Sequence, residues 1–176
     1  MSRIAGNRAV DRTSTTALRA MGISLSVPRG WDATISVLAD ADGDDEGDVR
    51  EEVHCPFVHV ATVALPRVRG HYGAGVVELL GAADAFATLV EFGPEAAGTR
   101  LFANRGLPRR LGANGFSPSV LQRRLRGQLG SQAFFQEAGR PFCLYAVLGG
   151  DEARTAALTE LNGVLRTISV DRLGVR

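Results

Sequence analysis

The sequence predicts an α+β fold in which an antiparallel β-sheet carries a packed C-terminal α-helix and one or two short helices. Short apolar segments separated by turn signals dominate the first two thirds of the chain, which is typical of antiparallel strands. A continuous apolar segment at 142–148 predicts a central strand buried on both faces. Near the C-terminus, apolar residues recur at spacings of 3, 4 and 3, which predicts an amphipathic helix: Leu158, Leu161, Leu165 and Ile168.

Length and composition indicate a folded globular chain. Its 176 residues suffice for one ordinary domain with its own core. The proportions of apolar (45%) and charged (22%) residues are those of a globule and not of a disordered chain. We expect a flexible tail at 1–20, where Arg, Ser and Thr outnumber large apolar residues, and a single α+β domain at 21–176.

The basic residues exclude several classes of enzyme. All 20 of them are arginine, a bias that indicates a bacterial genome of high GC content. Pyridoxal enzymes, P-loop nucleotide hydrolases and protein kinases all depend on a lysine, and this chain has none. We therefore predict no cofactor.

The cysteines and the apolar segments predict a cytoplasmic protein. Cys55 and Cys143 lie far apart in sequence and form no CxxC motif, which favours a reducing compartment. The N-terminus has no apolar core of a secretory signal, and no segment approaches the roughly 20 apolar residues of a transmembrane helix. We expect no association with membranes.

Three hairpins and one central strand are predicted. The central strand covers 58–65, where apolar and β-branched residues run up to Pro66. The hairpins join 23–27 to 34–38 across Pro28-Arg29-Gly30, 76–80 to 85–92, and 132–136 to 141–148.

Two helices are predicted, with a long irregular segment before the first. Ser117 and Pro118 are a favourable N-cap and first residue for a short helix. The C-terminal helix begins near Asp151, and 167–170 either continues it or forms a final edge strand. The segment 93–116 has Gly, Pro and Asn throughout, and loops of that length are often functional.

Both ends of the chain resemble the PsbP-like superfamily. The residues that carry the resemblance are 22–31, a strand that ends in Pro-x-Gly-Trp, and the C-terminal strand and helix that close at 165–170. The resemblance implies antiparallel sheets flanked by helices. It also implies a binding module, since most members of the superfamily are not enzymes.

Two segments invite a metal-binding interpretation, and we predict no metal site in either. The acidic run 40–51 has carboxylates at several EF-hand positions, but Asp45 replaces the required glycine and the flanks read as strands, which favours a solvated hairpin loop. His54, Cys55, His59 and His71 are close in sequence, yet positions 55 and 59 of a strand lie roughly 13 Å apart. We expect surface histidines and a packed cysteine.

No catalytic motif or catalytic residue is predicted. The chain lacks G-x-S-x-G, H-E-x-x-H and G-x-G-x-x-G. Cys143 lies in the most apolar strand and is expected in the core. The carboxylates Glu78, Glu91 and Glu137 lie in or beside strands, where we expect them to face solvent.

The candidate binding site is an arginine segment at residues 96–136, which has seven arginines and no carboxylate. Guanidinium groups bind carboxylates in bidentate fashion, so the segment predicts a surface for an acidic protein partner. The function predicted is a non-catalytic protein-binding, scaffold or chaperone-like module. The partner-binding residues are Arg100, Arg105, Arg109, Arg110, Arg123, Arg124 and Arg126.

Three alternatives remain open for the arginine segment and for the protein. The arginines would equally complement the acidic loop 40–52, within the fold or across a homo-oligomer. A small-molecule-binding protein or an enzyme would instead have a pocket between 93–116 and the sheet. Nucleic-acid binding is the least favoured, and steep dependence on salt would reveal it.

Overall fold

The computed structural model describes residues 14–37, 55–151 and 154–172. They form eight β-strands, one α-helix and five short 3₁₀ turns. The elements are β1 (Thr15–Ala20), β2 (Ile23–Pro28), β3 (Asp32–Val37), β4 (Pro56–Ala61), β5 (Ala85–Glu91), β6 (Leu129–Glu137), β7 (Arg140–Leu148), α1 (Arg154–Thr167) and β8 (Ser169–Val170).

The strands form two antiparallel sheets, which confirms the α+β class. The larger sheet has the strand order β3-β4-β5-β7-β6 and the smaller one the order β1-β2-β8. Among the described residues, no helix has the length and apolar character needed to span a membrane.

The five-stranded sheet is covered on both faces. On one face, Leu161 and Leu165 of α1 and Ile23 of β2 pack into the core with Leu89 and Leu144. The opposite face carries a second cluster around Phe86, Tyr145 and Val147, under the segments 62–84 and 118–128. Because both faces are covered, every residue of β4, β5 and β7 is buried and these strands show no polar alternation.

Several predicted elements are confirmed. The hairpin of β6 and β7 turns at Ala138 and Gly139, and β7 lies between two other strands of the sheet. The helix α1 presents the predicted Leu158, Leu161 and Leu165 to the core, and the fourth predicted residue, Ile168, is buried just after the helix ends. The alternative of a final edge strand is also correct, since β8 pairs with β2.

The first predicted hairpin is wrong, because β2 and β3 lie in different sheets. The partner of β2 is β1, which occupies 15–20, where a flexible tail was predicted. The sequence of β1 hides its strand character, because an edge strand with exposed Thr15, Thr16 and Arg19 needs few apolar residues. Residues 1–13 lie outside the described part of the chain.

Two further predictions are corrected between β4 and β6. Val77–Leu79 is a 3₁₀ turn and not a strand, and β5 pairs instead with β4 and β7. The helix predicted after Ser117 is only the 3₁₀ turn Pro118–Val120, although the Ser117 hydroxyl does accept a bond from the Ser119 amide (3.2 Å). Its expected apolar stripe ends at Leu129, which belongs to β6.

Gly149 allows β7 to leave the sheet beside a neighbouring turn. A Cβ atom at this position would overlap the backbone carbonyl of Gly81, which cannot move aside like a flexible side chain. We expect Gly149→Ala to lower the free energy of unfolding by about 1–3 kcal/mol, as overpacked sites do. Urea denaturation measures this loss.

Gly112→Ala is the matched control. Gly112 has a φ of −89°, and a Cβ atom added to it would meet open space, so alanine fits without strain. We expect its free energy of unfolding to stay within about 0.5 kcal/mol of wild type. Equal stability of the two variants would contradict the close packing of Gly149 against Gly81.

Candidate functional site

The part of the arginine segment that precedes β6, residues 96–128, contacts β6 at one edge of the five-stranded sheet. Two isolated bridges tie the segment to this strand, Arg105 to Gln136 and Ser117 to Gly130. The amide of Gly106 donates to the carbonyl of Gln136 (2.8 Å), and the amide of Ser117 donates to that of Gly130 (2.8 Å). Residues 105, 106 and 117 of the segment therefore pair with the backbone of this edge strand.

Two of the seven predicted arginines bind within the protein. Arg109 donates from Nη1 to the carbonyl oxygens of Arg166 (3.2 Å) and Ile168 (2.8 Å), and so satisfies acceptors at the end of α1. Arg123 donates to Glu78 across 2.9 Å, in a pair whose side chains are 70% and 30% exposed. So exposed a pair contributes little to stability.

The other five arginines are exposed. Arg126 lines a depression beside Asp151 and Arg154, near the start of α1. None of the five forms an ion pair with a residue that the structure describes. The acidic loop 40–52, with its EF-hand interpretation, lies outside the described residues. The five are Arg100, Arg105, Arg110, Arg124 and Arg126.

The prediction of solvent-facing carboxylates is wrong for Glu91. This side chain is buried and paired with Arg140, whose Nε and Nη2 donate to the two carboxylate oxygens at 2.8 and 2.5 Å. Glu137 is half-buried and accepts a bond from the Leu107 amide (2.6 Å), while Glu78 accepts one from the Gly75 amide (2.7 Å). Each carboxylate thus has its own partner, and no acid–base pair is assembled among these three.

Arg140 connects three parts of the fold. Besides Glu91 on β5, it donates to the carbonyl oxygens of Met21 (3.2 Å) and Gly22 (3.4 Å) in the β1–β2 turn, and to that of Asp171 (3.3 Å) after β8. Its guanidinium group also lies over the Phe142 ring, 5.3 Å from the centroid. Sequence reasoning missed this residue, because it stands next to a glycine and reads as part of a turn.

A cavity of about 580 Å³ opens beside the Arg140–Glu91 pair, at the end of the five-stranded sheet. We call it the end pocket. It lies away from the position expected for a pocket, since only Pro94 of its lining comes from 93–116. Its lining includes Met21, Cys55, Phe92, Pro94, Ala138 and Pro141.

Cys55 is the reactive side chain nearest to the end pocket. Partial burial raises the pKa of its thiol, and the negative charges of Glu91 and Glu95 raise it further, against the opposing effect of Arg140. A raised pKa keeps the sulfur protonated and weakly nucleophilic at neutral pH. The arrangement suits binding better than covalent catalysis.

His59 is buried, which corrects the expectation of a surface histidine. Its Nδ1 accepts a bond from Arg69 Nε (2.9 Å), so its Nε2–H donates to the His71 carbonyl (2.8 Å). Burial, helped by the nearby Arg69 charge and opposed by the hydrogen bond to the His71 carbonyl, lowers the pKa of His59 to about 4. Within the described ranges, no three His, Cys, Asp or Glu side chains are placed to hold a metal ion.

Cys143 is a core residue, as predicted. It has no exposed surface, and its sulfur accepts a bond from Gln132 Nε2 (3.3 Å). Burial raises the pKa of the thiol. Burial and hydrogen bonding therefore assign Cys143 to the packing of the sheet.

No family model, curated protein or solved structure matches this chain. We therefore infer its function from the arrangement of its own residues.

Proposed function

We propose that the protein is a non-catalytic binding module that engages an acidic protein partner through its arginine segment. The observation that carries the proposal is that five of the segment's seven arginines are exposed and form no ion pair with a described residue, in a segment that has no carboxylate. Arg109 and Arg123 already have partners within the protein, and the other five arginines contact the acidic partner. The module would act in the cytoplasm of a bacterium.

The physical chemistry of arginine supports a partner with carboxylates. A guanidinium group pairs with a carboxylate in a planar, bidentate geometry and is more weakly hydrated than an ammonium group. Charges of one sign along an edge also accelerate encounter with a partner of opposite sign. An acidic protein, including a second copy with its loop 40–52, meets both requirements.

The resemblance to the PsbP-like superfamily is part of the proposal. Antiparallel sheets with a packed C-terminal helix are the architecture that the resemblance implies, and this chain has them. Binding in place of catalysis is the function that it implies. The resemblance does not identify the partner, so the arginine surface must be tested directly.

The test compares two triple charge reversals in the full chain. Arg105→Glu/Arg110→Glu/Arg124→Glu changes three of the exposed arginines and leaves Arg109 and Arg123 in place, whereas Arg29→Glu/Arg67→Glu/Arg172→Glu makes the same change of charge elsewhere on the surface. Partners are captured from bacterial lysate and purified, and their affinities are measured by calorimetry. We expect the first variant to weaken binding at least about tenfold and the second to have little effect.

Salt and nucleic acid complete the test. Binding to the purified partner is expected to weaken as ionic strength rises, because exposed charges are screened. Equal affinity of both triple variants would show that the arginine segment is not the binding surface. Tighter binding to duplex DNA than to any acidic protein would refute the protein-binding proposal itself.

A further inference from the structure

Two strained turns meet at the end pocket. The β1–β2 turn is Met21-Gly22 and the β6–β7 turn is Ala138-Gly139, and all four residues have positive φ: 51°, 70°, 54° and 81°. These are the φ values of type I′ hairpin turns. Within the described residues, Met21 and Ala138 are the only non-glycine positions with positive φ, and both line the end pocket.

The turn geometry does not explain the choice of these two residues. The first position of a type I′ turn favours Asn, Asp or Gly, which tolerate the left-handed region, whereas a side chain such as Met is strained there. Met21 is also 39% exposed, so burial in the core does not compensate for the strain. Local conflicts of this kind are expected where a residue serves function.

The lining of the pocket defines the chemistry of its ligand. Met21, Phe92, Pro94 and Pro141 supply apolar walls, and the volume of about 580 Å³ lies within the range of small-molecule sites. All five N–H groups of Arg140 are already used by Glu91 and backbone carbonyls. A ligand anion would find no free guanidinium donor there.

The charges around the pocket also disfavour an anion. Glu91 and Glu95 both act on Cys55 with negative charge, against the single positive charge of Arg140. A carboxylate or phosphate placed beside Cys55 would be repelled by Glu91 and Glu95, and Arg140 already pairs with Glu91. A neutral or cationic group would not be repelled.

We propose that the end pocket binds an apolar small molecule that carries no negative charge, held between Met21, Phe92 and the proline walls. The site is separate from the arginine segment, and the proposal does not depend on a protein partner. The strained turns place Met21 and Ala138 in the wall of the pocket.

The test uses the full chain and the uncharged dye N-phenyl-1-naphthylamine, whose fluorescence rises in apolar surroundings. We expect saturable binding, and weaker binding of the related anion 1-anilinonaphthalene-8-sulfonate. Met21→Asn removes one apolar wall and places a residue that tolerates positive φ in the turn. We expect its affinity for the neutral dye to fall about tenfold, while its melting temperature equals or exceeds that of wild type.

Alkylation of Cys55 locates the bound dye. Cys143 is fully buried, so iodoacetamide should react with the native protein mainly at Cys55, and Cys55→Ser supplies the control for this assignment. A saturating concentration of the neutral dye is expected to slow alkylation severalfold, because it covers the thiol. Dye bound elsewhere on the surface would leave the rate of Cys55 alkylation unchanged.

Three results would overturn the proposal. The first is the absence of saturable binding of the neutral dye. The second is binding that leaves the rate of Cys55 alkylation unchanged, which places the dye outside the pocket. The third is a Met21→Asn variant that is less stable than wild type but binds the dye equally well, which would give Met21 a purely structural role.

Discussion

Arg140→Met is expected to lower the free energy of unfolding by about 3–5 kcal/mol, the usual cost of breaking a buried ion pair. The reason is that Glu91 would keep its charge after its partner is removed. Glu91 is buried, and without Arg140 its charge would stand in an apolar environment with no compensating group. The carbonyl oxygens of Met21, Gly22 and Asp171 would also lose a donor. Chemical denaturation at neutral pH measures the loss.

The double variant Arg140→Met/Glu91→Met separates the effect of the unpaired Glu91 charge from the effect of losing the Arg140 side chain. It removes the orphaned carboxylate, so we expect it to be more stable than Arg140→Met alone, although the unbonded carbonyl oxygens keep it below wild type. Arg67→Met is the surface control and should stay within about 0.5 kcal/mol of wild type. A single variant as stable as this control would show that the pair does not hold the sheet end together.

Acid is expected to destabilise the protein through His59. The pKa of this residue is about 4 in the folded protein and 6.5 for the free side chain. The unfolded chain therefore binds more protons between these two values, so stability is complete above pH 6.5 and falls as the pH drops towards 4. From pH 7.5 to pH 5 we expect a loss of about 2 kcal/mol from this residue. Urea titrations across this range measure it.

Two histidine variants isolate that effect. His59→Gln removes the titrating ring, and we expect its stability to vary less with pH than that of wild type, whatever its stability at pH 7.5. His71 also has a lowered pKa through burial, so His71→Gln is needed to remove its own contribution. The bond from His59 reaches the backbone of residue 71 and survives that change. A His59 resonance that titrates near pH 6.5 in an NMR experiment would contradict the prediction directly.

Strands with buried sides were predictable, and the exposed edge strand β1 was not. β7 and α1 follow from their apolar patterns alone, because the core demands apolar side chains at fixed intervals. β1 was missed because its sequence carries the polar residues of an exposed edge. The wrong pairing of β2 with β3 has the same origin. The turn after Pro28 resembles a hairpin turn in sequence, and only the structure shows that β2 pairs with β1.

The arginine segment and the end pocket also differ in how far the sequence predicts them. The arginine segment is visible in sequence, because charge segregation needs no structure to be recognised. The end pocket is not, since Met21, Cys55, Phe92 and Ala138 come from four separate regions of the chain. One signal was present: an apolar residue precedes glycine in both Met21-Gly22 and Ala138-Gly139, where a hairpin turn would favour Asn or Asp.

The pairing of β2 with β8 has a consequence for synthesis of the protein on the ribosome. Ile23 pairs with Val170, and the Ser26 amide donates to the Thr167 hydroxyl (3.0 Å), so strands from opposite ends of the chain meet. The β1–β2 hairpin is synthesised before most of the chain, and its apolar face is not fully covered until α1 has been translated. Ile23 and Leu25 therefore remain partly exposed to solvent, or bound to a chaperone, until almost the whole chain has been translated.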